Sequence, residues 1–431
     1  MHSWRGAAAF VALAAIGCAS SGGDSAATYQ RFTSCAFGDF DRDGDEDLFL
    51  GQFAGSEALF DVLSETDQLF LNDGGGRFSL AEDRLPPRSG GSTFGIVSAF
   101  AADFNLDGYL DLILSRVAPD QLSGAGLQLL VNDGAGRFVD GSDAIVETFD
   151  EEQWLPWAHA ADIDADGRPD VVISAGFGER SLILHNTPEG TFEAHREHLD
   201  LIGVDYGQMA HGDVDGDGLV DLVALVGDTV QSRIQVLLNR STAPGSFQWQ
   251  ALPAMFVPIQ GLSGALLDWD DDGDLDLVGT RFQWPPATSE DGVSLFENDG
   301  HGSFSEAPPA MLVGAPVPTE HPRVFSVADF NGDGRSDLLI GDHGLDQPPF
   351  AGFQNQLLVQ QAQGGVADES LARLGERNGF THCACAADVD NDGDVDLLTC
   401  DLNVNQESGV VLSVNDGSGQ FDNVLIDVPK K

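Results

Sequence analysis

Basic residues are scarce in this 431-residue chain: 20 lysines and arginines stand against 70 aspartates and glutamates, for a formal charge of −50. So acidic a surface disfavours nucleic acid and anionic membrane as partners and suggests bound cations instead. No segment reaches the ~18 apolar residues that a transmembrane helix needs. Tyrosine (3) and methionine (4) are rare, and cysteine stops at five. What is present is a hydrophobic content of 42%, enough for a sizeable core, and 52 glycines, which suit a chain of many tight turns. That length accommodates two or three ordinary domains or one large repeat architecture.

The N-terminus reads as a targeting segment and is set apart from the fold. Arg5 gives a short positive region, and residues 7–16 (AAAFVALAAI) are apolar but too short to span a bilayer. Ala15-Ile16-Gly17-Cys18 resembles a bacterial lipobox, in which the cysteine is lipidated and becomes the first mature residue. Ala15 departs from the leucine usual there, and cleavage after Ala19 is the alternative. Residues 1–18 are therefore expected to be a signal peptide and 19–29 a flexible linker. The protein is expected to be exported, either lipid-anchored in a bacterial cell envelope or secreted, touching membrane only through that anchor.

Beyond the leader, one nonapeptide recurs seven times, beginning at Asp39 (DFDRDGDED), Asp103 (DFNLDGYLD), Asp162 (DIDADGRPD), Asp213 (DVDGDGLVD), Asp268 (DWDDDGDLD), Asp329 (DFNGDGRSD) and Asp388 (DVDNDGDVD). The intervals of 64, 59, 51, 55, 61 and 59 residues imply one supersecondary unit per repeat, stacked on its neighbours. Small residues precede each copy (SCAFG, AHAA, CACAA), and a continuous apolar run follows (LFLG, VVIS, LVAL, LLIG). Such runs, bounded by turns, read as strands buried on both faces. About twenty residues on comes a hairpin signal such as LFLNDGGGRF (69–78) or LSVNDGSGQF (412–421). Repeat six has LVQQAQGGVA (358–367) instead, without the Asn or the closing Phe, and its outer hairpin is the least clearly marked. Four strands in a meander, repeated seven times, predict an all-β fold: one seven-bladed β-propeller of four-stranded antiparallel blades over residues 30–428.

A propeller must close its ring, and this chain starts on a first strand and ends on a fourth. Cys35 and either Cys383 or Cys385 occupy equivalent places on the innermost strands of the first and last blades, so a disulfide there would staple the ring. The competing bridge is Cys385–Cys400 across one hairpin.

Positions 1, 3, 5 and 9 of the nonapeptide are candidate metal ligands. They are Asp39, Asp41, Asp43 and Asp47; Asp103, Asn105, Asp107 and Asp111; Asp162, Asp164, Asp166 and Asp170; and Asp213, Asp215, Asp217 and Asp221. The last three loops supply Asp268, Asp270, Asp272 and Asp276; Asp329, Asn331, Asp333 and Asp337; and Asp388, Asp390, Asp392 and Asp396. Position 6 is glycine throughout, where the chain must turn sharply. Clustered like charges are relieved by a dication, and all-oxygen ligands suit Ca²⁺ better than Mg²⁺, which gives up its waters reluctantly. Up to seven calcium ions are expected, one per blade. An EF-hand is excluded because position 12 is Leu50, Leu114, Ile173, Ala224, Gly279, Ile340 or Thr399, none of which ligates, and because the context is strand.

The pattern D-x-D/N-x-D-G-x-x-D after a small-residue strand, with L-x-x-N-D-G-x-G-x-F downstream, resembles the FG-GAP/VCBS repeat of integrin-α-type propellers. The resemblance spans residues ~30–428 and implies a calcium loop between the first and second strands of each blade. That family includes adhesion receptors, lectin-like propellers and some polysaccharide lyases, so the fold does not fix the function.

Meander geometry puts the Asp loops and the Asn-Gly turns on one face and the longer connections on the other. Long connections on a rigid scaffold usually carry recognition. Trp154, Trp157, Tyr206, Trp249, Phe282, Trp284, Phe350 and Phe353 are assigned to them as a candidate face for a protein or glycan ligand. Catalysis has weaker support. His195 and His198 in HREH lack a second marker, while His321, Arg323, His343 and His382 are candidates to converge as acid/base groups. A polysaccharide lyase or hydrolase is the alternative to a binding module.

Overall fold

Each acidic nonapeptide sits where a short inner strand turns into the strand beside it, and everything else in the architecture is arranged around those seven turns. The structure is a computed structural model that describes residues 32–52, 67–86, 95–117, 124–146, 157–174, 181–196, 206–227, 232–258, 261–282, 292–314, 316–345, 352–401 and 409–426. The expected signal peptide and linker (residues 1–29, with Cys18), Trp154, His198, Trp284 and Phe350 lie outside the described residues.

Seven four-stranded antiparallel meanders make a β-propeller. Blade 1 comprises Phe32–Gly38, Asp47–Gln52, Gln68–Asn72 and Phe78–Leu80; blade 2, Gly95–Ala102, Asp111–Val117, Gly124–Asn132 and Phe138–Asp140. Blade 3 comprises Trp157–Ala161, Asp170–Ser174, Leu182–Asn186 and Phe192–His195; blade 4, Tyr206–Gly212, Asp221–Gly227, Ser232–Asn239 and Trp249–Ala251. Blade 5 comprises Gly261–Leu267, Asp276–Phe282, Gly292–Asn298 and Phe304–Glu306. Blade 6 comprises Pro322–Ala328, Asp337–Asp342, Gln356–Gln360 and Val366–Asp368; blade 7, Thr381–Ala387, Asp396–Asp401, Gly409–Asn415 and Phe421–Leu425. The weakly marked outer hairpin of repeat six is present, and Leu312–Val313 pairs in parallel with its last strand to widen the sheet.

Second strands are the most buried elements: Asp221–Gly227 and Asp337–Asp342 are buried at every residue. Their aliphatic side chains face neighbouring blades on both sides, as the unbroken apolar runs require. Seven hydrophobic clusters result, one per blade interface; that between blades 4 and 5 holds Leu225, Val236, Leu262, Leu277 and Phe296. The clusters between the other six neighbouring pairs complete the ring. Position 2 of each nonapeptide (Phe40, Phe104, Ile163, Val214, Trp269, Phe330, Val389) is buried, and the first six join the cluster between their own blade and the next. The acidic loop is thereby plugged into the packing between blades.

The seam joins blade 7 to blade 1. Cys35 is bonded to Cys385, linking their innermost strands across 350 residues of sequence, and Cys383 is bonded to Cys400 across the first hairpin of blade 7. Among the described residues no strand is exchanged: every blade is continuous in sequence.

Candidate metal centres and the opposite face

The acidic loops share one backbone course. The glycine at position 6 has φ between +85° and +97° in all seven loops, beyond the left-handed well open to side chains, which explains its invariance within this chain. Position 4 also turns left-handed but nearer +60°: Arg42, Leu106, Ala165, Asp271 and Asn391 have φ of 58° to 66°. That angle lies inside the narrow well an L-residue can enter, so position 4 tolerates side chains, and sequence pattern alone gave no sign of the second turn.

Side chains lock this course. Position 1 accepts a hydrogen bond from the glycine N–H in every loop, at 2.7 to 3.1 Å. Position 5 likewise accepts from the N–H of position 7, at 2.8 to 3.2 Å. These Asx-type turns leave other carboxylate oxygens turned inward. Asp39 Oδ1, Asp41 Oδ1, Asp215 Oδ1 and Asp390 Oδ1 are buried without a hydrogen-bond donor. A buried carboxylate oxygen with no donor is costly, and a hard cation supplies what is missing. Burial and neighbouring carboxylates accordingly raise the pKa of Asp41, Asp270 and Asp390, with burial the larger cause.

Position 9 has a further task. All seven of these aspartates are fully buried. One oxygen accepts from the backbone N–H that ends the third strand of the same blade (Asn72, Asn132, Asn186, Asn239, Asn298, Gln360 or Asn415) at 2.7 to 2.9 Å. In blades 1, 3, 4, 6 and 7 the other accepts from the N–H of position 2 at 2.9 to 3.1 Å. Position 9 thus ties the second and third strands to the acidic loop whether or not a metal is bound. Burial pushes these carboxyls up, to about 7 for Asp47, about 8 for Asp170 and Asp276, and about 6 for Asp111, Asp221, Asp337 and Asp396.

The asparagines of the Asn-Gly turns do more than turn the chain. Asn132, Asn186, Asn239, Asn298 and Asn415 each donate Nδ2–H to the position 2 carbonyl of the preceding blade at 2.7 to 2.8 Å. Asn72 closes the circle by donating to Val389 O at 2.7 Å. Blade 6, which lacks the asparagine, uses the Gly365 N–H on Trp269 O at 3.1 Å. Sequence reading found these asparagines as turn residues and missed them as clasps between blades; their recurrence at the end of the third strand in six of the seven repeats was the available signal.

Three loops carry a basic side chain against a candidate ligand. In blade 6, Arg335 pairs with Asp333 Oδ2. In blade 4, Arg240 reaches back from the end of the third strand to Asp215 Oδ2 (2.5 Å) and Asp217 Oδ2 (2.6 Å), so a guanidinium already neutralises two candidate ligands. In blade 3, His185 Nε2 lies 3.1 Å from Asp164 Oδ2 without the alignment of a hydrogen bond.

The opposite face gathers a different set of groups. His321, His343 and His382 meet at the junction of blades 6 and 7, with ring centroids 4.2 Å apart for the first pair and 5.1 Å for the second. Arg323 Nη1 lies 3.3 Å from His343 Nε2, and His343 Nδ1 lies 2.6 Å from Gly344 O. Asp342 accepts the backbone N–H groups of Glu320, His321 and Gly344, each at 2.8 Å, and so fixes the segments that carry the cluster. Burial drives two of the imidazoles toward the neutral form, taking His321 to about 3 and His343 well below its usual value.

Of the candidate aromatics, Trp157 and Tyr206 open first strands and Phe282 ends a second strand, all at this face. Phe353 lies in a small two-stranded sheet with Asn378–Gly379 and is half-buried. Trp249 differs from its sequence assignment. It pairs with Asn239 and opens the outer strand of blade 4, at the acidic-loop end, directly after the 3–4 turn rather than in a long connection. His195 likewise lies in a strand, paired with Ile183.

Fold and loops together define a seven-bladed propeller of acidic-loop repeats. Residues 54–114, 213–279 and 268–340 match the FG-GAP-like repeat, so the propeller carries FG-GAP-like repeats in these stretches. Similar solved structures include a lectin of Agrocybe aegerita that recognises non-reducing terminal N-acetylglucosamine, 18% identical over 90% of this chain and 88% of that one, with a TM-score of 0.49. AofleA from Arthrobotrys oligospora is 11% identical over 81% and 95% (TM-score 0.44). A rhamnogalacturonan lyase of Bacillus licheniformis is 11% identical over 92% and 75% (TM-score 0.38). At these identities and scores the likenesses say nothing about ligand or chemistry. Among curated proteins none matches the chain in sequence.

Proposed function

We propose that the protein is an exported, calcium-stabilised propeller that presents a protein or glycan ligand-binding surface on the face away from the acidic loops. The observation carrying the calcium reading is the set of buried, donorless carboxylate oxygens in loops whose backbone is already fixed. Oxygen-only ligands at hard-cation spacing favour Ca²⁺, and seven dications would bring the formal charge from −50 to about −36. Calcium here orders the loops, and through position 2 and the asparagine clasps it supports the blade interfaces on which a rigid recognition face depends. The N-terminal reading supports export, with Cys18 as lipid anchor or with release. Screening the mature protein on a glycan array with calcium and with chelator tests both halves. Retention of a defined glycan class that is lost on chelation supports the proposal; calcium-indifferent binding removes the link between loops and face.

A second reading, a polysaccharide-degrading enzyme, is favoured by the convergence of His321, Arg323, His343 and His382. Imidazoles and a guanidinium are the groups a base-assisted elimination uses, the guanidinium offsetting a uronate carboxylate. Ultraviolet absorbance of unsaturated product from polyuronides, abolished in His343→Ala, would support it.

A further inference from the structure

The third acidic loop differs from the other six in the residue that overhangs it. The position just before the third-strand asparagine or glutamine is Leu71, Val131, Leu238, Val359 or Val414 in five blades and Glu297 in blade 5. In blade 3 it is His185, more than nine-tenths buried. Its Nε2 lies 3.1 Å from Asp164 Oδ2, yet no hydrogen bond is aligned to it. Asp164 is itself 4% exposed, and it accepts the N–H groups of Asp166 (3.2 Å) and of Gly245 from the neighbouring blade. One ligand atom each from Asp164, Asp166 and His185 falls within 4.8 Å of the others. Phe247 packs edge-on against the imidazole with ring centroids 5.3 Å apart, and His195 lies beyond at 5.8 Å, so the ring is held by its surroundings.

We propose that this loop is a mixed nitrogen–oxygen site for a first-row divalent cation, Zn²⁺ foremost, distinct from the all-oxygen sites of the other blades. An imidazole nitrogen facing a carboxylate oxygen across 3.1 Å, without a shared hydrogen bond, is relieved by a cation that accepts both. Calcium takes oxygen almost exclusively, whereas zinc accepts histidine nitrogen and carboxylate oxygen together. Asp164, Asp166 and His185 are the ligands. The proposal rests on the loop reading above only in taking the carboxylates as cation ligands, and it does not require calcium elsewhere.

The test uses the mature chain freed of metal, equilibrated with Zn²⁺ under excess Ca²⁺, dialysed, and analysed for both metals in the same sample. Co²⁺ in a parallel sample gives an optical signature of nitrogen ligation. One zinc per chain is expected to survive the calcium excess. His185→Leu, which installs the residue of blades 1 and 4, is expected to weaken zinc binding roughly tenfold or more while leaving the calcium count unchanged. His185→Gln serves if the leucine variant does not fold. Loss of calcium with zinc retained would sink the calcium reading alone. No zinc retained by the parent chain, or zinc retained equally by folded His185 variants, overturns this inference.

Discussion

At the scale of single residues, the acidic nonapeptide is two devices superimposed. Positions 1, 3 and 5 bend the loop and point oxygens inward, while position 9 joins strands through backbone N–H groups. The two separate by mutation in blades 4 and 6. Asp221→Asn leaves one buried N–H without an acceptor and is expected to cost about 1–3 kcal/mol in chelator and in calcium alike. Asp329→Asn at position 1 of blade 6 is expected instead to lower the calcium-dependent part of the melting shift more than the metal-free melting temperature. Urea unfolding of both variants with and without calcium checks this; equal, metal-dependent losses would put position 9 among the ligands only. Candidate ligands were legible in the sequence because spacing repeats seven times. The double role of position 9 was not, because its partners are backbone groups on strands about 16 to 25 residues away that carry no side-chain signature.

At the scale of elements, the third strand of every blade but the sixth ends in an asparagine that grips the blade before it. Asn132→Asp preserves shape but turns a donor into an acceptor facing Phe40 O and Leu110 O. A loss of about 2–4 kcal/mol is expected from two unmade bonds and the repulsion left behind, measured by denaturant unfolding. The loops also make metal-free stability depend on pH. The position 9 carboxyls have folded pKa values above their unfolded value, so the stability they contribute is present at low pH and lost as pH rises through about 6 to 8. Buried histidines act oppositely, since His159 and His321 sit below their usual value and their contribution is lost as pH falls. Above about pH 7.5 the histidines are neutral in both states. The metal-free protein is therefore expected to melt at a lower temperature at about pH 9 than at about pH 7.5, and calcium to reverse the trend by displacing protons. Strand order and blade number could be read from the apolar runs and hairpin signals. The clasp between blades could not, because Asn-Gly reads as a turn whether or not its side chain reaches a neighbour.

At the scale of the whole molecule, a ring is only as stable as its seam. Blade 7 meets blade 1 through the Cys35–Cys385 bond, the Asn72 and Gly76 hydrogen bonds to Val389 O, and a shared core of Phe32, Leu50, Phe70 and Leu398. Cys385→Ser is expected to cost roughly 2–5 kcal/mol, as long-range disulfides do, and calorimetric unfolding of oxidised and substituted protein reads it. The sequence placed Cys35 opposite either Cys383 or Cys385 and could not choose, because both lie on one strand two residues apart. Register decides: Cys383 pairs with Cys400 across the hairpin, which leaves Cys385 for the seam.

The central claim is that dications hold together loops whose carboxylates would otherwise repel, and that those loops brace the blades. Calorimetric melting of the mature chain in chelator and in ~10 mM calcium tests it. Sites of Kd near 10⁻⁴–10⁻³ M each add about 1–3 kcal/mol at that concentration, so an upward shift of roughly 10 °C or more is predicted. A melting temperature indifferent to calcium would contradict it.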